Sequence, residues 1–122
     1  MPGPTSRARL IRPRAMLQPQ LLLGPGKADL LQAILERGSI SAAARSLGMG
    51  YRRAWTLLNE LQQGFELPLV ETAAGGSGGG GAQVTELGRA VLDCYRELER
   101  ACEAASAKPL ARLDRLMKRR PK

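Results

Sequence analysis

Six of the seven residues from Gly75 to Gly81 are glycine, interrupted only by Ser77. Glycine loses more backbone freedom on folding than any other residue, so a tract this dense resists a helix or a strand interior. It suits either a linker or the tip of a thin hairpin that approaches another surface closely. The flanks favour the hairpin. Leu67-Pro68-Leu69-Val70-Glu71-Thr72 precedes the tract and Ala82-Gln83-Val84-Thr85 follows it, and both are short extended candidates.

Upstream the period changes from two to 3.6. Leu30, Leu31, Ile34 and Leu35 form a helical stripe from Gly26 or Lys27 to Arg37, and Gly38 is a C-terminal stop. Ser41 offers an N-cap oxygen to a short helix, Ala42–Leu47, in which Leu47 is expected to anchor the core. Three alanines there let helix backbones approach closely, and Gly48-Met49-Gly50 makes a tight turn. A third helix is expected from Tyr51 to about Gly64. Ala54, Leu57, Leu58 and Leu61 line its inner side, while Arg52, Arg53, Thr56, Asn59 and Gln63 lie mainly on the other. Trp55 is assigned to core packing.

Thr85 is an N-cap candidate for a fourth helix reaching about Ala107, where Pro109 is expected to end it and a short basic helix to follow. Leu87, Val91, Cys94, Leu98, Ala101 and Ala105 recur at alternating spacings of four and three, the seam of a coiled coil, and a homodimer is expected. The expected fold is mainly α with a small β-hairpin: a winged helix-turn-helix followed by a long dimerisation helix. Its parts are a basic, partly extended arm over 1–25, the winged helix-turn-helix over 26–85, the dimerisation helix over 86–107 and a basic tail over 108–122.

Net charge is +8, and its distribution is uneven. Residues 1–27 carry five basic groups and no acid, and residues 108–122 carry seven basic groups against Asp114. The span between them carries seven basic and ten acidic residues. Basic ends suit phosphate contact by counterion release, and they suit solvated tails equally well. Cys94 and Cys102 stand eight apart on a helix, about 12 Å along its axis, too far for a disulfide within it. With no histidine in the chain, an ordinary zinc site is not expected, and the cysteines are read as small hydrophobes in a reducing compartment. The start of the chain lacks the apolar core of a secretory signal, and a cytoplasmic location is expected.

A helix-turn-helix sets the start of its second helix against base edges and phosphates of the major groove. Here that start is Gly50-Tyr51-Arg52-Arg53. The two arginines project about 100° apart, so one can pair with a guanine and the other can hold a phosphate. Tyr51 can donate to a phosphate, and Thr56 can meet a base or a thymine methyl. Ser77 and Gln83 flank a tip able to enter a minor groove or lie along phosphates, and Ser41 completes the candidate contact set. A phosphate-binding nucleotide loop needs Lys-Ser/Thr directly after its last glycine, where this chain has Ala82-Gln83. No nucleophile–base pair and no metal cluster stand out, so neither enzymatic activity nor a cofactor is expected. The alternative is an interaction module that uses the long helix and basic tails to bind a protein or ligand, with only non-specific affinity for DNA.

Residues 30–95 resemble the DNA-binding domain of ModE-type molybdenum-responsive regulators, which are winged helices related to the LysR type. The resemblance is carried by Gly38-Ser39-Ile40-Ser41-Ala42-Ala43-Ala44, Met49-Gly50-Tyr51-Arg52-Arg53-Ala54-Trp55, Leu69-Val70-Glu71-Thr72 and Thr85-Glu86-Leu87-Gly88. It implies a dimer held partly by the long helix, a palindromic operator, a link to molybdate or metal transport genes, and DNA contacts by Arg52, Arg53 and Thr56. Gly50 stands where such regulators commonly have a serine, and Ser77 where they frequently have a lysine. Molybdate sensors of this type bind the oxyanion in later domains, so intrinsic molybdate binding is not expected of these residues.

Overall fold

The computed structural model describes residues 11–18, 21–73 and 81–117. Strand β1 (Ala15–Gln18) pairs antiparallel with β2 (Leu21–Leu23), and helices α1 (Pro25–Arg37), α2 (Ile40–Ser46) and α3 (Tyr51–Gln62) follow. Strand β3 (Val70–Thr72) then pairs antiparallel with β4 (Ala82–Val84), and α4 (Glu86–Leu116) closes the order. This is the mainly helical winged architecture expected. The extended N-terminal segments form a two-stranded sheet of their own, separate from the wing. Ser77 and the glycines before Gly81 lie outside the described residues. No helix among those described is long and apolar enough to cross a membrane.

Each helix begins where a physical signal permits. Helix α1 starts with Pro25 in its first turn, where a missing N–H costs nothing. It ends at Gly38, whose φ of 73° is left-handed and disfavours any side chain. Helix α2 begins earlier than expected. Ser39, not Ser41, is the N-cap, and its Oγ accepts from the Ala42 N–H at 3.0 Å. Both serines are chemically suitable; burial of Ile40 at the first helical position selects the earlier one. Leu47 is no core anchor. It sits at the C-cap, 39% exposed, because the helix ends before carrying it inward, and Met49 packs against the core from beyond the turn.

The core is apolar among the described residues, with Leu30, Leu31 and Ile34 of α1 set against Ala43 and Ala44 of α2 and Leu57, Leu58 and Leu61 of α3. Trp55 packs on this core from a half-buried position. Leu69 is 0% exposed and ties three elements together. Its N–H donates to Gln62 Oε1 at 2.8 Å, and its carbonyl accepts from the Thr85 N–H at 2.9 Å. Thr85, the N-cap expected, also accepts from the Gly88 N–H at 3.1 Å. Gly88 is buried on the Leu69 carbonyl: a Cβ there would fall on that oxygen and 2.7 Å from Val84 Cγ1.

Helix α4 departs from expectation in two ways. Its domain-facing residues are Gly88, Leu92 and Tyr95, all buried, while Leu87, Val91 and Leu98 pack on the core from the shoulder. Cys94, Ala101 and Ala105 are exposed. The helix also continues through Pro109 to Leu116 instead of ending near Ala107. Proline removes one backbone donor and crowds the preceding turn. Beyond Glu99 no described residue of α4 is buried, so water can satisfy the carbonyl left without its partner. The separate basic helix expected after Pro109 is therefore the end of α4.

The far end of α1 is fastened by charge. Arg12 makes a two-pronged contact with Asp29 at 2.7 and 3.0 Å and reaches Glu99 at 3.4 Å. Arg96 bonds Glu99 at 3.0 Å and Asp29 at 3.3 Å. Beside them the buried Tyr95 hydroxyl donates to the Pro13 carbonyl at 2.7 Å. Burial alone would raise the Asp29 pKa, but hydrogen bonds and charge from Arg12 and then Arg96 outweigh it and hold the carboxyl below its ordinary range.

Two stability predictions follow from these contacts. Gly88→Ala should cost about 1–3 kcal/mol by denaturant unfolding despite alanine's better helix propensity, because its methyl meets fixed backbone. Gly64→Ala, where the neighbour is the movable end of Leu21, should cost less. A carboxyl whose pKa is depressed in the folded state contributes fully above the unfolded value, about 3.9, and that contribution is lost as pH falls through the folded value. Thermal stability should thus fall below about pH 4, by no more than the pair contributes. Asp29→Asn should be less stable at neutral pH, by about 1 kcal/mol or less for so exposed a pair, with a shallower acid decline.

Candidate nucleic-acid interface

Helix α3 carries its apolar residues on one side. Ala54, Leu57, Leu58 and Leu61 are buried, whereas Tyr51, Arg52, Arg53, Thr56, Asn59 and Gln63, the last at the C-cap, are exposed. At about 100° per residue the side opposite the buried stripe runs through Arg52, Thr56, Asn59 and Gln63. Arg53 lies about a quarter turn from that line. The two arginines thus diverge as their adjacency demands, one pointing straight out and one along a flank. Neither side chain makes an ion pair or hydrogen bond with the described residues.

On the other flank Tyr51, 56% exposed, meets Trp55 edge to face, their ring centroids 6.2 Å apart. This pair forms one wall of a cleft whose other walls are Ser39 and Ser41 of the α2 start and Thr72 and Gly81 of the wing base. Ser41 is exposed one residue inside α2, with its Oγ 3.1 Å from Ser39 Oγ. Gln83 is exposed on β4 opposite Glu71, pointing away from the core. The structure therefore brings Ser41, Tyr51 and the base of the wing to one cleft, with Arg52 and Thr56 on the adjoining face. Ser77 lies outside the described residues.

The orientation of wing to helix is set by residues that pattern reading passed over. Gln62 Nε2 donates to the Leu67 carbonyl at 2.8 Å and its Oε1 accepts from Leu69, so one side chain splints the loop between α3 and β3. The Ala82 N–H donates to the Gly38 carbonyl at 2.9 Å and fixes the second wing strand to the end of α1. A glutamine at the end of an amphipathic helix carries no signal of such a role. Asn59 belongs with the exposed stripe as well, and its place on the wheel is the signal that finds it. At the head of α3, Gly50 provides no side-chain cap, which leaves the first N–H groups of the helix open beside Tyr51 and Arg52.

Among the described residues no group of three histidine, cysteine, aspartate or glutamate side chains is arranged to hold a metal. The cations on this face are arginines, Glu60 stands on the Arg53 flank paired with Lys27, Glu71 is exposed on β3 opposite Gln83, and the rest is hydroxyls, amides and backbone.

Sequence comparison agrees with this geometry. The chain is 43% identical over 83 residues to the molybdenum-pterin-binding protein MopA of Rhodobacter capsulatus, which is 68% of this chain and 31% of that protein. It is 43% identical over 79 residues to the DNA-binding transcriptional dual regulator ModE of Escherichia coli K12, 65% of this chain and 30% of the regulator. To the molybdenum transport protein ModE of Azotobacter vinelandii it is 39% identical over 97 residues, 80% of this chain and 33% of that one. The matched segment spans about a third of the length of these relatives. Residues 27–89, from the first turn of α1 to the first turn of α4, match the bacterial regulatory helix-turn-helix proteins of the lysR family, and the chain belongs to that family.

Proposed function

We propose that this chain is a DNA-binding transcriptional regulator that sets α3 in the major groove of an imperfect palindrome and acts as a dimer. The observation that carries the reading is the outer stripe of α3: arginines without side-chain partners and exposed amide and hydroxyl groups, beside a hairpin whose base is fixed to the same core. Arg52, on the outermost line, is assigned a bidentate pair with a guanine. Arg53, on the flank, is assigned a phosphate, as are Ser41 and Tyr51 from the adjoining cleft. Ser77 and Gln83 are assigned to the wing contact. The names of the relatives point to molybdenum, so operators near molybdate-handling genes are the first to try. We assign neither molybdate binding nor catalysis to these residues, and the place of action is the cytoplasm.

The dimer reading draws on α4. The stripe through Leu87, Val91, Cys94, Leu98, Ala101 and Ala105 stands about a quarter turn from the buried stripe of Gly88, Leu92 and Tyr95. Its outer members are small and exposed, which suits close approach of a second helix. The same line continues to Leu116, 78% exposed.

Site selection from random DNA followed by titration checks the first part. Arg52→Ala should cost about 1–3 kcal/mol on the selected site and relax the choice of one base pair in each half-site. Arg53→Ala should weaken selected and random DNA alike and lower the salt slope by about one. Equal affinity of the double variant and the parent for the selected site would refute the assignment. Light scattering checks the second part: the parent should run at twice the chain mass, and Ala101→Glu with Ala105→Glu should give a folded monomer.

A further inference from the structure

Of the four residues on the outermost line of α3, Thr56 has an engagement the others lack. Its Oγ1 donates to the Arg52 carbonyl oxygen, 3.1 Å away and one turn back. A threonine hydroxyl has a single proton to give, and here it is used inside the helix. The side chain is exposed, and what it keeps for a partner is an oxygen that can only accept and a γ-methyl that makes no bond. Glu60, one turn further on, pairs with Lys27 of α1 at 3.3 Å.

Resting on the proposal that α3 enters the major groove, we infer that Thr56 is a specificity-determining residue that reads a thymine by its C5-methyl group. Thymine alone presents a methyl in that groove; at the same place cytosine has only a C5–H and a purine its N7 acceptor. A methyl set against a methyl removes apolar surface from water on both sides, gains less against a C5–H, and disfavours a purine N7, which would lose water and gain no donor. Thr56 stands about 6 Å along the helix from Arg52, so it addresses a neighbouring base pair and not the one Arg52 reads.

The test uses the selected duplex with each thymine replaced singly by deoxyuridine, which lacks only the methyl. Affinities are measured for the parent, Thr56→Ser, which keeps the hydroxyl, and Thr56→Val, which keeps the methyl. In the parent, uracil should cost about fourfold at one position of each half-site, the worth of burying one methyl. Thr56→Ser should be weaker on the thymine duplex by that same factor and indifferent to uracil there, while Thr56→Val keeps the parent's sensitivity. Selective binding with no uracil-sensitive position, a Ser variant as sensitive as the parent, or a Val variant that loses a selectivity the Ser variant retains would each overturn the inference and leave the regulator reading standing. A parent that prefers no duplex over random DNA would overturn both.

Discussion

The backbone of Leu69 is the joint on which the arrangement of α3, the wing and α4 depends. Its side chain is sealed in the core, its N–H is taken by a side chain of α3, and its carbonyl is taken by the residue that caps α4. Helix α3, the wing and α4 therefore meet at one residue. A buried backbone group with both partners supplied resists displacement, because either element would leave an unsatisfied donor or acceptor on moving away. Glycine at position 88 is the steric condition for this joint: the first turn of α4 lies directly on the Leu69 carbonyl, where no side chain fits. The family motif Thr85-Glu86-Leu87-Gly88 thus has a mechanical meaning. Thr85 caps the helix and Gly88 lets it sit down.

A second fastening lies toward the start of α1, at Asp29. There Arg12, Asp29, Arg96 and Glu99 interlock beside the Tyr95–Pro13 bond and hold the segment before β1 to α1 and α4. Each ion pair is partly exposed and individually worth little. Their effect is collective, since every carboxylate shares two guanidiniums and the hydroxyl of a buried tyrosine fixes the chain between them. The acidic surplus of the middle of the chain is partly accounted for here. Those carboxylates answer arginines of their own fold, and Arg52 and Arg53 on the outside of α3 have no side-chain partner among the described residues.

The sequence made the helices and the wing legible because glycine, proline and apolar period mark them strongly. What it left hidden were choices between chemically equal candidates. Ser39 and Ser41 are both good caps, and burial of Ile40 decided between them, a tertiary fact. On α4 two stripes compete: the heptad-like line through Leu87, Val91 and Leu98, and the line through Gly88, Leu92 and Tyr95. Periodicity favoured the first because glycine and tyrosine look unlike core residues, yet the second faces the domain. Pro109 was read as a terminator because a proline in a packed helix is costly, and the outlying half of α4 has no packing to disturb. In the candidate site, charge and placement announced Arg52 and Arg53, whereas Gln62 acts through a splint that only the folded loop reveals.

The proposed dimer turns these local facts into a constraint on DNA. Helix α4 is continuous over 31 residues, about 46 Å, and is held to its domain by Gly88, Leu92 and Tyr95. A second copy packed along its exposed stripe would take its orientation from that helix, and the Leu69 joint would pass the orientation on to α3. Among the described residues between α3 and α4, both ends of the wing are fixed by backbone hydrogen bonds. The separation of the two recognition helices is then a property of rigid parts. Such a protein would discriminate operators by half-site spacing as well as by base identity, because a shift of one base pair moves one α3 by about 3.4 Å and rotates its face of the duplex away. The glycine tract itself offers no side chain for base recognition apart from Ser77, so discrimination between bases falls to α3.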